Sequence, residues 1–306
     1  MKTKFFTLAV IAGLLTACAS DDTPETKYIT VNTGITPMSR IVTNADKTQS
    51  FSDGDRISIY AWTGSAATIP AERVVDGIVN TLGKDVWIPA APMVWADEST
   101  PHYLMGIHPA SSTPITDFTA GTFTLGNDLT QNDLMVATQA GTDGKGIVPQ
   151  AAPVSLQFSH LLARLTVNVT YRTQFSKLAE AAVDVSSRTN ATVDYLNKTV
   201  VVTGESSNLP MTDIVANANG QTRSYEAIMI PQIGVTTINI MVEGTKLTYT
   251  HTQTADIELT SGKHTTVNLT VGRDKVELTG ISIDPWDDSS SSPIEGGEIT
   301  DPDPIG

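Results

Sequence analysis

From Tyr28 onward the chain alternates. Tyr28-Ile29-Thr30-Val31-Asn32-Thr33 and Arg56-Ile57-Ser58-Ile59-Tyr60-Ala61 each place Ile or Val on one face and polar groups on the other, the period of a half-buried strand. Leu165 to Tyr171 is the clearest case, with Leu165, Val167, Val169 and Tyr171 on one side, and Thr266 to Val271 repeats it. Between them the pattern predicts Thr192–Tyr195 and Thr199–Thr203 around an Asn197-Lys198 turn, Tyr225–Ile230, and Thr237–Val242 with Lys246–Thr250 around Glu243-Gly244. Strands at this spacing, separated by Gly, Asn, Asp and Pro, predict an all-β sandwich rather than βαβ units. One short helix is expected over Gln174–Val183, where Phe175, Leu178, Ala179 and Ala182 share a stripe. Long loops are expected around Thr63–Lys84 and Ala96–Tyr103.

The first residues follow another logic. Lys2 and Lys4 precede the apolar stretch Phe5–Leu15, which is too short for a hydrocarbon core of about 30 Å and reads as a signal peptide. Leu15-Thr16-Ala17-Cys18 matches a bacterial lipobox, with cleavage between Ala17 and Cys18 and acylation of the Cys18 thiol. Several acyl chains on one residue make a stable membrane anchor, so the outer membrane is an expected partner through lipid on Cys18. Ser20-Asp21-Asp22 resembles an acidic surface-export signal of lipoproteins, a solvated tether being the other reading. The organisation expected is 1–17 signal peptide, 18–27 tether, 28–150 first β-sandwich domain, 151–286 second β-sandwich domain and 287–306 acidic flexible tail. The Gly- and Pro-rich stretch Ala140–Pro153 carries the boundary.

Composition narrows the function. In 306 residues there are 33 acidic against 19 basic side chains, a formal net charge of −14, so a nucleic-acid partner, which needs clustered Lys and Arg, is not expected. With the one cysteine committed to lipid, no thiol nucleophile remains, and no serine sits in a Gly-x-Ser-x-Gly elbow. The five histidines lack zinc-ligand spacing, so neither metal nor cofactor is expected and no catalytic residue is assigned. His160, within Phe158-Ser159-His160-Leu161-Leu162, reads as a core histidine needing a partner. Asp53-Gly54-Asp55 reads as a turn feeding the strand at Ile57 rather than a calcium loop. Trp62, Trp87, Trp95 and Trp286 are too far apart to line a carbohydrate face and are expected in cores and edges.

Six motifs in order carry a resemblance. Phe51-Ser52-Asp53-Gly54-Asp55-Arg56-Ile57-Ser58-Ile59-Tyr60-Ala61-Trp62 resembles the "aGD-i-v" strand entry of the fimbrillins, the Mfa-like subunits of Bacteroidales type V pili. Tyr103–Pro109, Asp133-Leu134-Met135-Val136-Ala137, Val154–Val169 (as one strand), Leu259–Lys263 and Ile283–Trp286 resemble its later elements, covering nearly all of 28–286. The resemblance implies two transthyretin-like β-sandwich domains in tandem and a non-enzymatic, adhesive role in cell-surface fimbriae. It also implies that a protease cutting after Arg removes the first strand, so that other fimbrial subunits join by strand exchange. Arg40-Ile41, just past the first strand, is the position carried over as the processing site, a plain surface arginine being the alternative. The stretch Pro285–Gly306 offers only Ile294, Ile299 and Ile305 among prolines, glycines and carboxylates, a poor donor strand that fits a tip or accessory position. The competing expectation is a non-polymerising surface lipoprotein that binds a glycan or a host protein.

Overall fold

The computed structural model describes residues 27–36, 50–70, 72–126, 132–216, 221–235, 237–250, 257–273 and 275–286. Among these the regular structure is mostly β strand, with a 3-10 turn at Leu178–Glu180. With strands numbered in chain order, the first sheet runs β1 (Val31–Ile35), β8 (Val154–His160), β7 (Met135–Gln139), β5 (His102–His108), β2 (Arg56–Thr63), β3 (Val75–Gly83) and β4 (Val86–Pro89). This sheet rolls until its two ends meet, because Trp87 Nε1 on β4 donates to Thr33 Oγ1 on β1 at 2.9 Å. The roll encloses one core that includes Ile29, Ile57, Ile59, Leu104, Leu156 and Phe158. Gly106 on β5 permits it, since a Cβ there would stand 2.6 Å from the Phe158 ring.

Strands β2 and β5 are buried on both faces, which corrects the half-buried reading of Arg56–Ala61. Ser58, expected to face water, is fully buried and its hydroxyl accepts from Ser111 N. The covering comes from residues 109–120: Ile115 N donates to Tyr60 Oη at 3.0 Å, and Phe118 packs edge-on against the Tyr60 ring.

The second half is a sandwich. One sheet orders β11 (Thr199–Pro210), β10 (Ala182–Asp194), β15 (Thr237–Val242) and β16 (Thr245–Thr250), with β6 (Gly121–Thr124) also paired to β10. The other orders β12 (Thr212–Ala216), β13 (Thr222–Met229), β9 (Ala163–Tyr171), β18 (Lys263–Val271) and β19 (Val276–Pro285), and β9 runs parallel to β18. Leu165, Val167 and Val169 meet Val185, Val193, Ile238 and Ile240 between the sheets. A short pair, β14 (Gln232–Val235) with β17 (Ile257–Leu259), lies apart.

Three sequence expectations need correction. Gln174–Val183 is not a helix: Glu243 Oε1 accepts from the amides of Ser176 and Lys177 at 2.6 and 2.8 Å, claiming donors that would open one, and Ala181 is already extended. Phe175 and Leu178 are nonetheless buried. The loop expected over Thr63–Lys84 contains β3, whose alternation is disguised by Asp76, Gly77 and a fully buried Asn80. The stretch Val154–Val169 is two strands in different sheets, broken where Leu161 and Leu162 are both buried and alternation fails. Consequently Val154–His160, which lies past a division at 150/151, has all its strand partners in the first sheet.

Candidate functional site

The segment from Lys27 to Thr36 occupies a slot at the open end of the first sheet. Along one side it runs parallel to β8, with Val31 opposite Val154 and Ile35 opposite Phe158. Thr30 O accepts from Val154 N at 2.8 Å, and Thr36 N donates to Phe158 O at 2.7 Å. Along the other side only its beginning has backbone partners: Ile29 N donates to Met93 O and Lys27 O accepts from Trp95 N. From Val31 to Ile35 the strand is an edge in its backbone pairing, β4 reaching it through the Trp87 side chain and no second strand pairing with it among the described residues.

Side chains divide as the alternation requires. Ile29 and Val31 are buried, Thr33 and Ile35 partly so, while Tyr28, Thr30 and Asn32 face out. Burying an aliphatic side chain contributes roughly 1.5–3 kcal/mol, so Ile29 and Val31 are the main apolar anchors. Past Ile35 a cleft of about 400 Å³ opens between the two halves of the molecule, lined among others by Ile35, Phe51, His108, Asp133, Arg164 and Trp286.

The outer wall, Met93–Trp95, is held by His102. That ring is fully buried, accepts from Ala96 N through Nε2 at 3.0 Å, and pairs through Nδ1 with Thr100 O at 2.7 Å, so Nδ1 carries the proton. Burial lowers the imidazole pKa, with Thr100 O and Asp97 opposing. Asp97 Oδ1 accepts from the amides of Ser99 and Thr100, and these bonds with the Thr100 hydroxyl pull its carboxyl well below the usual range. Trp95 meets His102 edge-on at 4.9 Å.

The residues singled out from the sequence fall as follows. Ala17, Cys18, Arg40 and Ile41 lie outside the described residues, as does the 287–306 tail. His160 has the partner that burial demands, Asp133 Oδ1 at 2.7 Å, and stacks on Trp286 at 4.1 Å. All four tryptophans are buried. Asp53-Gly54-Asp55 is a turn, closed by Asp55 Oδ2 accepting from Ser52 N. Among the described residues no group of three His, Cys, Asp or Glu is placed to hold a metal. Sequence reasoning missed the Trp87–Thr33 bond, whose partners stand 54 positions apart with no pattern linking them.

A family model described as fimbrillin-like matches residues 42–286. Among solved structures, a cell adhesion protein, so titled as putative, from Bacteroides ovatus superposes with a TM-score of 0.65 at 16% identity, covering 85% of this chain and 98% of its own. One from Bacteroides uniformis with the same description gives 0.62 at 16% identity, covering 86% and 100%. At that identity the likeness speaks for the fold. The comparison with curated proteins finds no match.

Proposed function

The chain belongs to the fimbrillin-like family, whose members are structural subunits of cell-surface fimbriae rather than enzymes, and on that premise we propose that its first strand is a removable placeholder. Cleavage after Arg40 leaves the Lys27–Thr36 segment joined to the body only by non-covalent contacts. Its departure exposes the β8 edge and the apolar trough filled by Ile29 and Val31, and an extended segment of another subunit satisfies both. The carrying observation is the edge position of β1 in parallel register with β8. The matched family region, which starts at residue 42, leaves that strand outside it. In this reading the rolled sheet and the sandwich are the two transthyretin-like units in tandem. Lipid on Cys18 holds the precursor on the outer membrane, the assembled fibre serves adhesion, and the weak donor pattern of the tail puts the subunit at a tip or accessory position.

Trypsin treatment of the purified precursor tests this. The expected result is one early cut giving a new N-terminus at Ile41, followed by oligomer growth or incorporation into fibres of a partner subunit. Persistent monomers after a complete cut refute it. Mass spectrometry of the mature N-terminus checks the lipid, a diacylated or triacylated Cys18 being expected.

A further inference from the structure

Trp87 is the one side chain from the far end of the rolled sheet that hydrogen-bonds the first strand among the described residues. We propose that Trp87 selects the strand occupying the slot, requiring Ser or Thr at the position Thr33 now fills. The inference rests on the strand-exchange reading above and adds to it the chemistry of the acceptable partner.

The indole is held by Phe51 as well as by β1. Phe51 packs edge-on against Trp87 at 5.3 Å and edge-on against Phe158 at 5.2 Å, and Trp87 itself is 7% exposed. Its N–H therefore keeps its direction when the strand leaves. An indole N–H can only donate, so the incoming residue must supply an acceptor there. A hydroxyl does; a valine of the same shape strands a buried donor, and an unpaired buried donor costs more than a made bond contributes. The same asymmetry lets a site built around one polar contact reject a close apolar analogue.

Two apolar positions precede this one. Ile29 and Val31 fill the trough, so the slot reads apolar, any, apolar, any, hydroxyl along a strand running parallel to β8. The occupant that fits is an extended segment of another protein with this spacing. It is not the Pro285–Gly306 stretch of a second copy, where no two apolar residues stand two apart ahead of a Ser or Thr.

The test uses the full chain, nicked by trypsin and left unfractionated, with labelled peptides spanning residues 27–36 as competitors for the slot. The peptide of native sequence and its Thr33→Ser form are expected to bind within about twofold of each other. The Thr33→Val form is expected to bind about tenfold more weakly. With Trp87→Phe protein the Thr and Val peptides are expected to bind equally. Equal binding of Thr and Val peptides to the unsubstituted protein overturns the selection and leaves strand exchange standing, whereas failure of every peptide to bind overturns both. Should Trp87→Phe not fold, the peptide series on the native protein still decides.

Discussion

Ile29 carries more of the slot's grip than any exposed neighbour. It is 2% exposed, whereas Tyr28 beside it is 42% exposed. Ile29→Ala is expected to destabilise the intact chain by roughly 2–4 kcal/mol in urea unfolding, against less than about 0.5 kcal/mol for Tyr28→Ala. The wall opposite is pH-sensitive. His102 and Asp97 both have lowered folded-state pKa values, so each favours the fold above its unfolded pKa and withdraws that support as pH falls. Between about pH 7 and 5, through the unfolded imidazole value near 6.5, the amides of Ile29 and Trp95 are expected to exchange faster, after correction for intrinsic rates, while those of Val167 and Val267 hold steady. A His102→Gln chain whose Ile29 exchange keeps the same pH profile refutes this. At this scale the sequence reveals a residue's need but not who meets it. A histidine amid Phe158 and Leu161 must have a partner, yet nothing local names Asp133, which lies 27 positions away.

Strands with unbroken alternation were legible; elements built on tertiary contacts were not. Lys246–Thr250 and Thr237–Val242 emerge with the expected bounds or within a residue of them because turn and period agree there. The 174–183 stretch has a helical stripe, but its first amides bond to Glu243 more than sixty positions ahead. The Val154–Val169 run reads as continuous because Leu161 and Leu162 extend its apolar content; only the change of sheet reveals that the chain passes between layers there. The first strand was found by alternation, but its parallel partner was invisible, since Val154 is more than a hundred residues distant. An edge strand flanked on one side opens more readily than a strand between two others. Hydrogen exchange at neutral pH should therefore show β1 amides exchanging by local opening, well before those of β9 and β18. Equal protection in all three would contradict the placeholder role.

The molecule as a whole is tied together through shared apolar contacts. Tyr60, Trp62, Met105 and Val136 from the first sheet belong to the same buried cluster as Leu165, Val185 and Ile240 of the sandwich. A single calorimetric transition is expected, with the van't Hoff and calorimetric enthalpies in agreement; two resolved peaks would show that the halves unfold separately. The sequence did not reveal this shared core, because alternation says which side of a strand is apolar and not what it meets. The strand β6 adds backbone hydrogen bonds to the tie: it comes from the first half of the chain yet lies register to register on β10, Gly121 opposite Val193 through Thr124 opposite Asn190. Gly121 is there because any side chain would collide with the Tyr195 ring, a Cβ at that position standing 2.4 Å from it. In a fibre dragged by flowing liquid, that clasp becomes a mechanical fuse. Tension drawing the two halves apart has to peel four residues from β10 and open the shared core before the halves can separate, so the joint resists a tug.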